Sequence, residues 1–326
     1  MNIAILDDEF DTVRTLACYE QVAAHQVTIW RDHSKDTGTL AARLQDAEAV
    51  VMLRERTPIR ADLIARLPKL KMLTLNGPYP HVDLDACTAH GVALCAGKPR
   101  PSSATAELTW GLIIASMRQI PQQMVSLKRG AWQCGIGSGL RGRTLGVYGY
   151  GRIGQQVAGF GRAFGMRVLI WSRESGLASA RADGHAAAKS RQALFEEADV
   201  LSLHVRLNAE TRGMVKAADL ARMKPTALLA NTSRAELIEP GALVAALKAG
   251  RPGLAAVDVF DAEPVTDLQQ PLLNMDNVVC TPHLGYVERD QLERYYADQF
   301  SRVLAFERGS PVDVANPQVL VSGGHA

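Results

Sequence analysis

Three polar residues stand at the ends of apolar, strand-like runs in the second half of this 326-residue chain. Arg234 follows LLANTS, Glu263 follows AAVDVFDA and His283 follows NVVCTP. Their types form a chemical set. A guanidinium can grip a carboxylate through two parallel hydrogen bonds. An imidazole can give or take a proton near neutral pH, and a carboxylate beside it orients the ring and favours its charged form. Ligands of open parallel sheets bind outside the carboxyl ends of the strands, so strand-end positions such as these face a cleft.

Upstream, VYGYGRIG (147–154) contains Gly149, Tyr150, Gly151, Arg152, Ile153 and Gly154 in the pattern GxGxxG. The pattern carries weight because it leaves an expected strand and opens an expected helix, the context a dinucleotide-binding turn requires. Gly149 allows the tight turn, Gly151 lets the backbone approach a pyrophosphate and Gly154 lets helix and strand pack closely. The helix start adds N–H groups and the positive end of its dipole. Eighteen residues beyond Gly154 the next strand ends in Trp171-Ser172-Arg173. An acid there would bond the ribose 2′-hydroxyl of NAD, whereas a small neutral residue followed by Arg suits a 2′-phosphate. Ser172 and Arg173 therefore favour NADP without excluding NAD.

The elements that must position these residues alternate along the chain. Short strand-like runs NIAIL (2–6), QVTIW (26–30), AVVML (49–53), KMLTL (to residue 75) and GVALC (91–95) are separated by helical patterns such as LAARLQ (40–45) and ADLIARL (61–67). A segment AGKPRPSS (96–103) reads as a linker. Then TAELTWGLIIASMRQI (105–120) reads as one long helix, with Leu108, Gly111, Leu112, Ala115 and Met117 along an apolar stripe. A second series follows, TLGVYGY (144–150), RVLIWS (167–172), DVLSLHV (199–205), TALLANTS (226–233), LAAVDVF (254–260) and NVVCTPH (277–283). These runs are continuously apolar, as strands buried on both faces should be. An amphipathic helix over 287–309 and a fraying tail VSGGHA (321–326) complete the pattern. Alternating strands and helices predict an α/β fold with parallel sheets.

Composition narrows the function. Lys and Arg number 36 against 34 Asp and Glu, so no broad basic field exists to neutralise phosphates, which argues against nucleic acid as a partner. No apolar run is long enough to span a membrane; the longest is LTWGLIIASM (108–117). The N-terminus MNIAILDDEF lacks a basic n-region and reads as a first strand. Cys18, Cys87, Cys95, Cys134 and Cys280 form no CxxC pair and no zinc-ligand spacing, so we expect reduced thiols, no metal and a cytoplasmic location.

With these residues assembled, the chain resembles the D-isomer-specific 2-hydroxyacid dehydrogenase family along essentially its whole length. The resemblance is carried by TAELTWGLI (105–113), YGYGRIG (148–154), LLANTSRAELI (228–238), AAVDVFDAEP (255–264) and TPHLGY (281–286). It implies two Rossmann-like or flavodoxin-like domains, a cofactor domain (102–287) inserted into a substrate domain (1–101 plus 288–326). It implies a carboxylate-binding Arg234, an assisting Glu263, an acid–base His283, and a cofactor site that includes His204, Thr232 and Asp258, the last toward the nicotinamide carboxamide. On the substrate side it implies backbone N–H groups at Asn76 and Gly77, while Arg54 at a strand end is a candidate for the distal group. It also implies a homodimer, with the apolar helix 105–120 as the candidate surface.

Two departures stand out. Ala235 follows Arg234 where the family carries glycine, and Arg206 stands in LHVRL where it carries proline. Nothing resembling the extra domain of long phosphoglycerate dehydrogenases appears in the 43 residues after His283. The expected activity is hydride transfer between NAD(P)H and a small 2-oxo acid, with glyoxylate or hydroxypyruvate favoured. The alternatives are a phosphoglycerate or phosphite dehydrogenase and, from another class, a dinucleotide-sensing regulatory protein.

Overall fold

The computed structural model describes residues 1–98 and 103–322. In chain order its elements are β1 (Asn2–Ile5), β2 (Gln26–Ile29), α1 (Thr37–Leu44), β3 (Ala49–Val51), α2 (Ala61–Ile64), β4 (Met72–Asn76), α3 (Leu84–Ala89), β5 (Ala93–Gly97), α4 (Ala104–Met117) and α5 (Ile120–Lys128). There follow β6 (Thr144–Tyr148), α6 (Arg152–Ala163), β7 (Arg167–Trp171), α7 (Glu174–Ala182), β8 (Ala186–Ala187), α8 (Arg191–Glu197), β9 (Val200–Leu203), α9 (Ala217–Leu220) and β10 (Leu228–Asn231). The last are α10 (Ala242–Lys248), β11 (Leu254–Val257), β12 (Val278–Cys280), α11 (Arg289–Glu307) and α12 (Gln318–Ser322). They divide into two compact units, Met1–Pro101 with Arg289–Ala326, and Ser102–Glu288.

The first unit holds a five-stranded parallel sheet in the order β2-β1-β3-β4-β5. The chain reverses its direction of growth between β1 and β3, and the loops after those two strands therefore flank the sheet's switch point. Leu6, Val50, Met52, Leu73, Leu75 and Leu94 pack on one face with Leu40, Leu44, Leu63 and Ile64 of α1 and α2. The long helix α11 lies against β4 with Tyr295, Tyr296 and Phe300 buried. Side-chain caps start the helices here: Asp36 accepts from Thr39 N–H at 2.7 Å and Asp83 from Ala86 N–H at 2.9 Å.

The second unit holds a seven-stranded parallel sheet in the order β12-β11-β10-β9-β6-β7-β8. Successive strand residues alternate between two cores. Leu169, Leu201, Leu203, Leu229 and Val257 belong to one, while Val147, Ile170, Val200, Leu228 and Ala256 belong to the other. Both faces are covered, which is why these strands are apolar on both faces, with few polar positions such as the buried Ser202 and Asn231. The switch point lies between β6 and β9.

Three expectations need correction. The helix expected over 105–120 ends at Met117. Gln119 adopts a left-handed backbone (φ 53°), and α5 starts afresh with Pro121 in its first turn. A proline there cannot donate to the Met117 carbonyl, and its ring would clash with it; that carbonyl takes the Ser138 N–H at 2.7 Å instead. Of the linker 96–103, Ala96 and Gly97 belong to β5, paired with Leu75 and Asn76, and residues 99–102 lie outside the described residues. Of the tail, residues 321–322 close α12, and 323–326 lie outside the described residues. Among the described residues no helix is long and apolar enough to cross a membrane.

Phe195 of α8 is fully buried, edge-on to Tyr148 of β6 with ring centroids 6.3 Å apart. Phe195→Ala is expected to destabilise the second unit by about 3–5 kcal/mol. Urea unfolding followed by far-UV circular dichroism measures this, and a loss below about 1 kcal/mol would contradict the packing described.

Candidate active site

The glycine turn follows β6 directly. A Cβ on Gly149 (φ 94°) would sit 2.5 Å from the His204 carbonyl oxygen, so the loops after β6 and β9 touch at the switch point only because this residue is glycine. A Cβ on Gly154 would stand 2.2 Å from the Gly149 oxygen, so α6 can approach its strand closely. At Gly151, the residue preceding α6, a Cβ would meet nothing within 4 Å. Open space before the N-terminus of a twelve-residue helix fits a pyrophosphate.

Around this turn the side chains are arranged unequally. Tyr150 is buried and donates its hydroxyl to Asp183 at 2.8 Å; burial, reinforced by that carboxylate, raises its pKa. Arg152 is exposed and Ile153 half-buried. The Ser172 hydroxyl accepts the Tyr150 N–H at 3.3 Å, and Arg173 is exposed just ahead of α7. Burial pushes the His204 imidazole down to about 4, which keeps it neutral beside Ser202 at 2.8 Å. Thr232 is buried, 2.6 Å from the Thr109 hydroxyl. Thr109 gives its proton to Thr105 O at 2.7 Å, so Thr232 is the donor of that pair.

Glu263 and His283 meet directly. The His283 Nδ1 lies 2.6 Å from a Glu263 carboxylate oxygen, and the other oxygen accepts the Phe260 N–H at 2.9 Å. Burial opposes the charge on Glu263. The bonds from His283 and Phe260, with the positive charges of His283 and Arg234, outweigh it and hold the carboxyl below its usual value. With Nδ1 engaged, Nε2 is the nitrogen left to exchange a proton. The Tyr286 ring stands edge-on to the imidazole at 5.8 Å. Arg234 has an extended backbone and gives one N–H to Ser233 O at 2.7 Å, while Asn231 donates to Arg234 O at 2.9 Å.

His283 itself occupies the left-handed region (φ 54°), which costs a residue other than glycine on the order of 1–3 kcal/mol. Asp258 offsets this cost. Fully buried, it accepts Thr281 Oγ1 at 2.6 Å and Leu284 N–H at 2.7 Å on one oxygen, and Gly285 N–H at 2.9 Å on the other. Burial drives its pKa up against these bonds. Thr105 of α4 donates to Gly285 O at 2.6 Å. Thr105 and Thr109, one turn apart, thus hold the loops after β12 and β10. Neither threonine was singled out from sequence as part of the site, although both lie in the TAELTWGLI motif.

On the first unit, Arg54 also has a left-handed backbone (φ 59°), and its N–H donates to the Tyr295 hydroxyl at 2.8 Å. The expectation that Asn76 and Gly77 present free N–H groups needs correction. Gly77 N–H donates to Gly97 O at 2.9 Å, Asn76 N–H reaches the Tyr295 hydroxyl at 3.5 Å, and Pro78 has no N–H. The sheet and α11 have used these donors. His81 in the same loop is buried, and burial lowers its pKa. Of the two departures, Ala235 opens a 3₁₀ turn that needs no glycine backbone, and Arg206 is exposed, its carbonyl accepting Thr211 Oγ1 at 2.7 Å.

Residues 110–285 match the family model for the D-isomer specific 2-hydroxyacid dehydrogenase NAD binding domain. A glyoxylate reductase of Aeropyrum pernix is 33% identical over 309 residues, covering 91% of each chain. A D-3-phosphoglycerate dehydrogenase of Methanocaldococcus jannaschii is 38% identical over 249 residues, covering 76% of this chain but only 47% of that protein. A crystal structure described as a candidate D-3-phosphoglycerate dehydrogenase from Ralstonia solanacearum is 51% identical and superposes with a TM-score of 0.93, covering 98% of this chain and 97% of that one. Since the family model spans more than half the sequence, and a relative one-third identical runs along nine-tenths of it, the chain belongs to the D-isomer-specific 2-hydroxyacid dehydrogenases, oxidoreductases that act on CH–OH groups with a nicotinamide dinucleotide.

Proposed function

We propose that this protein reduces small 2-oxo acids of the glyoxylate and hydroxypyruvate kind to D-2-hydroxy acids, and runs the reverse oxidation, through Arg234, Glu263 and His283. The observation that carries the reading is the 2.6 Å contact between His283 Nδ1 and Glu263, which leaves Nε2 for a substrate oxygen. In this reading Arg234 grips the carboxylate through the rest of its guanidinium. His283 gives its Nε2 proton to the carbonyl oxygen as that oxygen gains charge, and recovers it in the reverse direction. Glu263 keeps the imidazolium oriented and compensated. The bound nicotinamide supplies or takes the hydride.

Gly149, Gly151 and Gly154 with the start of α6 are assigned the pyrophosphate, flanked by the backbone of Tyr150, Arg152 and Ile153. His204 and Thr232 line the same end of the sheet. Asp258 is assigned the nicotinamide carboxamide on the family resemblance, from behind the loop that it secures. Arg54 is assigned the distal end of the substrate, and Asn76 with Gly77 the turn beside it. Arg54 and Arg60 follow β3, which favours a phosphorylated 2-oxo acid as the second reading, while Arg56 between them is paired with Glu9. Comparing kcat/KM for glyoxylate, hydroxypyruvate and phosphohydroxypyruvate decides between them. The five cysteines are unpaired, as expected of a reducing compartment, which supports a cytoplasmic enzyme.

His283→Ala is expected to lower kcat by at least about 10²-fold with cofactor binding intact. Arg234→Ala should mainly raise KM for the 2-oxo acid. Because Glu263 is held below its usual value, its stabilising charge is fully present above that value, about 4.3, and is lost only as pH falls through the lower, folded one. Glu263→Gln removes that charge at every pH, so the alkaline limb of the reduction profile should move to lower pH. A His283→Ala enzyme with near-normal kcat would sink the assignment.

For the cofactor, Ser172 and Arg173 support a modest NADPH preference. One charge-assisted bond to the 2′-phosphate is worth roughly 10–150-fold, and the exposure of Arg173 puts it at the low end. Ser172→Asp should reverse the preference, and Arg173→Ala should weaken NADPH alone. Dissociation constants for both cofactors test this; tighter NADH binding by the wild type, with Arg173→Ala affecting both cofactors alike, would refute it.

A homodimer is the proposed assembly, through a different surface from the helix expected. The apolar residues of α4 are spent inside the second unit, where Trp110 packs edge-on to Phe164 at 5.0 Å. Apolar exposure begins with α5, at Ile120, Met124, Val125 and Leu127, and continues at Trp132 (75% exposed) and Ile136 (93%). Such a concentration is the mark of an interface. Sedimentation should give a dimer for the wild type and a monomer for Leu127→Glu; a monomeric wild type at micromolar concentration would overturn this.

A further inference from the structure

The Tyr295 hydroxyl occupies an unusual place in the first unit. β3 and β4 pair regularly up to Val51 and Thr74, and Met52 N–H still donates to Thr74 O at 3.0 Å. In a parallel ladder the next rung would run from Asn76 N–H to Met52 O. Tyr295 stands in that rung. Its hydroxyl accepts Asn76 N–H at 3.5 Å and donates to Met52 O at 3.3 Å, and it also accepts Arg54 N–H at 2.8 Å. One side-chain oxygen thus replaces the ladder where the two strands part and their loops begin.

The surroundings hold that oxygen in place. Tyr295 is buried on α11, and burial raises its pKa, so the hydroxyl stays protonated and can donate and accept together. Asn76 Nδ2 donates back to the Tyr295 carbonyl at 3.1 Å, and Arg302, two turns along α11, donates to Asn76 Oδ1 at 2.7 Å. The far side of the β3 loop is fixed separately, by Thr57 Oγ1 donating to the buried Asp7 at 2.8 Å and by Arg56 with Glu9 at 2.6 Å. Tyr295 holds the pair of N–H groups at the start of both loops, one of them on the left-handed Arg54.

We propose that Tyr295 is a positioning residue for substrate: its hydroxyl sets the spacing of the Arg54 and Asn76–Gly77 turns, so affinity for the 2-oxo acid, and not for the cofactor, depends on it. The proposal rests on the substrate-side assignment made above. Tyr295→Phe removes one oxygen, keeps the ring and takes the hydroxyl acceptor from the part-buried Arg54 N–H and the buried Asn76 N–H. In the holoenzyme the variant is expected to raise KM for glyoxylate or hydroxypyruvate by about 5-fold or more, the low end for an orphaned buried donor, with kcat and the cofactor dissociation constant little changed.

Amide hydrogen exchange is the independent readout. The Arg54 and Asn76 amides should be protected in the wild type and exchange about 10-fold faster in Tyr295→Phe, with the rest of the first sheet unaltered. Unprotected amides in the wild type, or an unchanged KM in an active variant, would overturn the role of Tyr295 alone. A loss of cofactor affinity as large as the rise in KM would overturn it too, by showing general structural damage. A wild type that turns over no 2-oxo acid would overturn the functional reading itself.

Discussion

The buried carboxylate of Asp258 is the constraint on which the chemistry of the second unit depends. His283 stands in a backbone conformation that disfavours it, and nothing in its own side chain corrects this. Asp258 does so from behind, taking the N–H groups of the two residues after His283 and the hydroxyl two residues before it. The imidazole is thereby aimed at Glu263, whose second oxygen is folded back onto Phe260. A buried, ionised carboxylate is costly unless its hydrogen bonds are made, and here the loop is the set of partners that makes them. The loop and the buried charge therefore stabilise each other.

Helix α4 extends the same logic along the sheet. Its apolar residues pack against α6 and the sheet, while Thr105 and Thr109, one turn apart, reach the loops after β12 and β10. One rigid element thus fixes two of the loops that carry proposed site residues. The first unit uses a helix for the same purpose. Tyr295 and Arg302, two turns apart on α11, hold the ends of β3 and β4. In both units loops at the carboxyl ends of parallel strands are positioned by polar side chains from a helix packed on the sheet, because sheet pairing stops before the loops begin.

Of the six left-handed residues other than glycine among the described residues, two stand where function is proposed. Arg54 and His283 are both left-handed residues other than glycine, and both are held by hydrogen bonds from outside their own loops. Gln119 is a third, but its role is structural, turning the chain from a buried helix into one that exposes its apolar residues.

The sequence by itself determined the alternation of apolar runs and helical patterns, and with it the α/β class, because burial on both faces demands apolar residues on both sides of a strand. It also determined the glycine turn, since only glycine tolerates a carbonyl at 2.5 Å from where a Cβ would be. Arg234, Glu263 and His283 were legible as a set because each ends an apolar run. Only the tertiary structure decided where α4 ends, which N–H groups near Asn76 and Gly77 are already used, and that Asp258 secures the loop of His283. It alone revealed Tyr295, which lies 219 residues from Asn76 along the chain. Local pattern reports what a residue does to its own backbone and face. A hydrogen bond between distant segments depends on how the sheets and helices pack, and no short-range spacing encodes it.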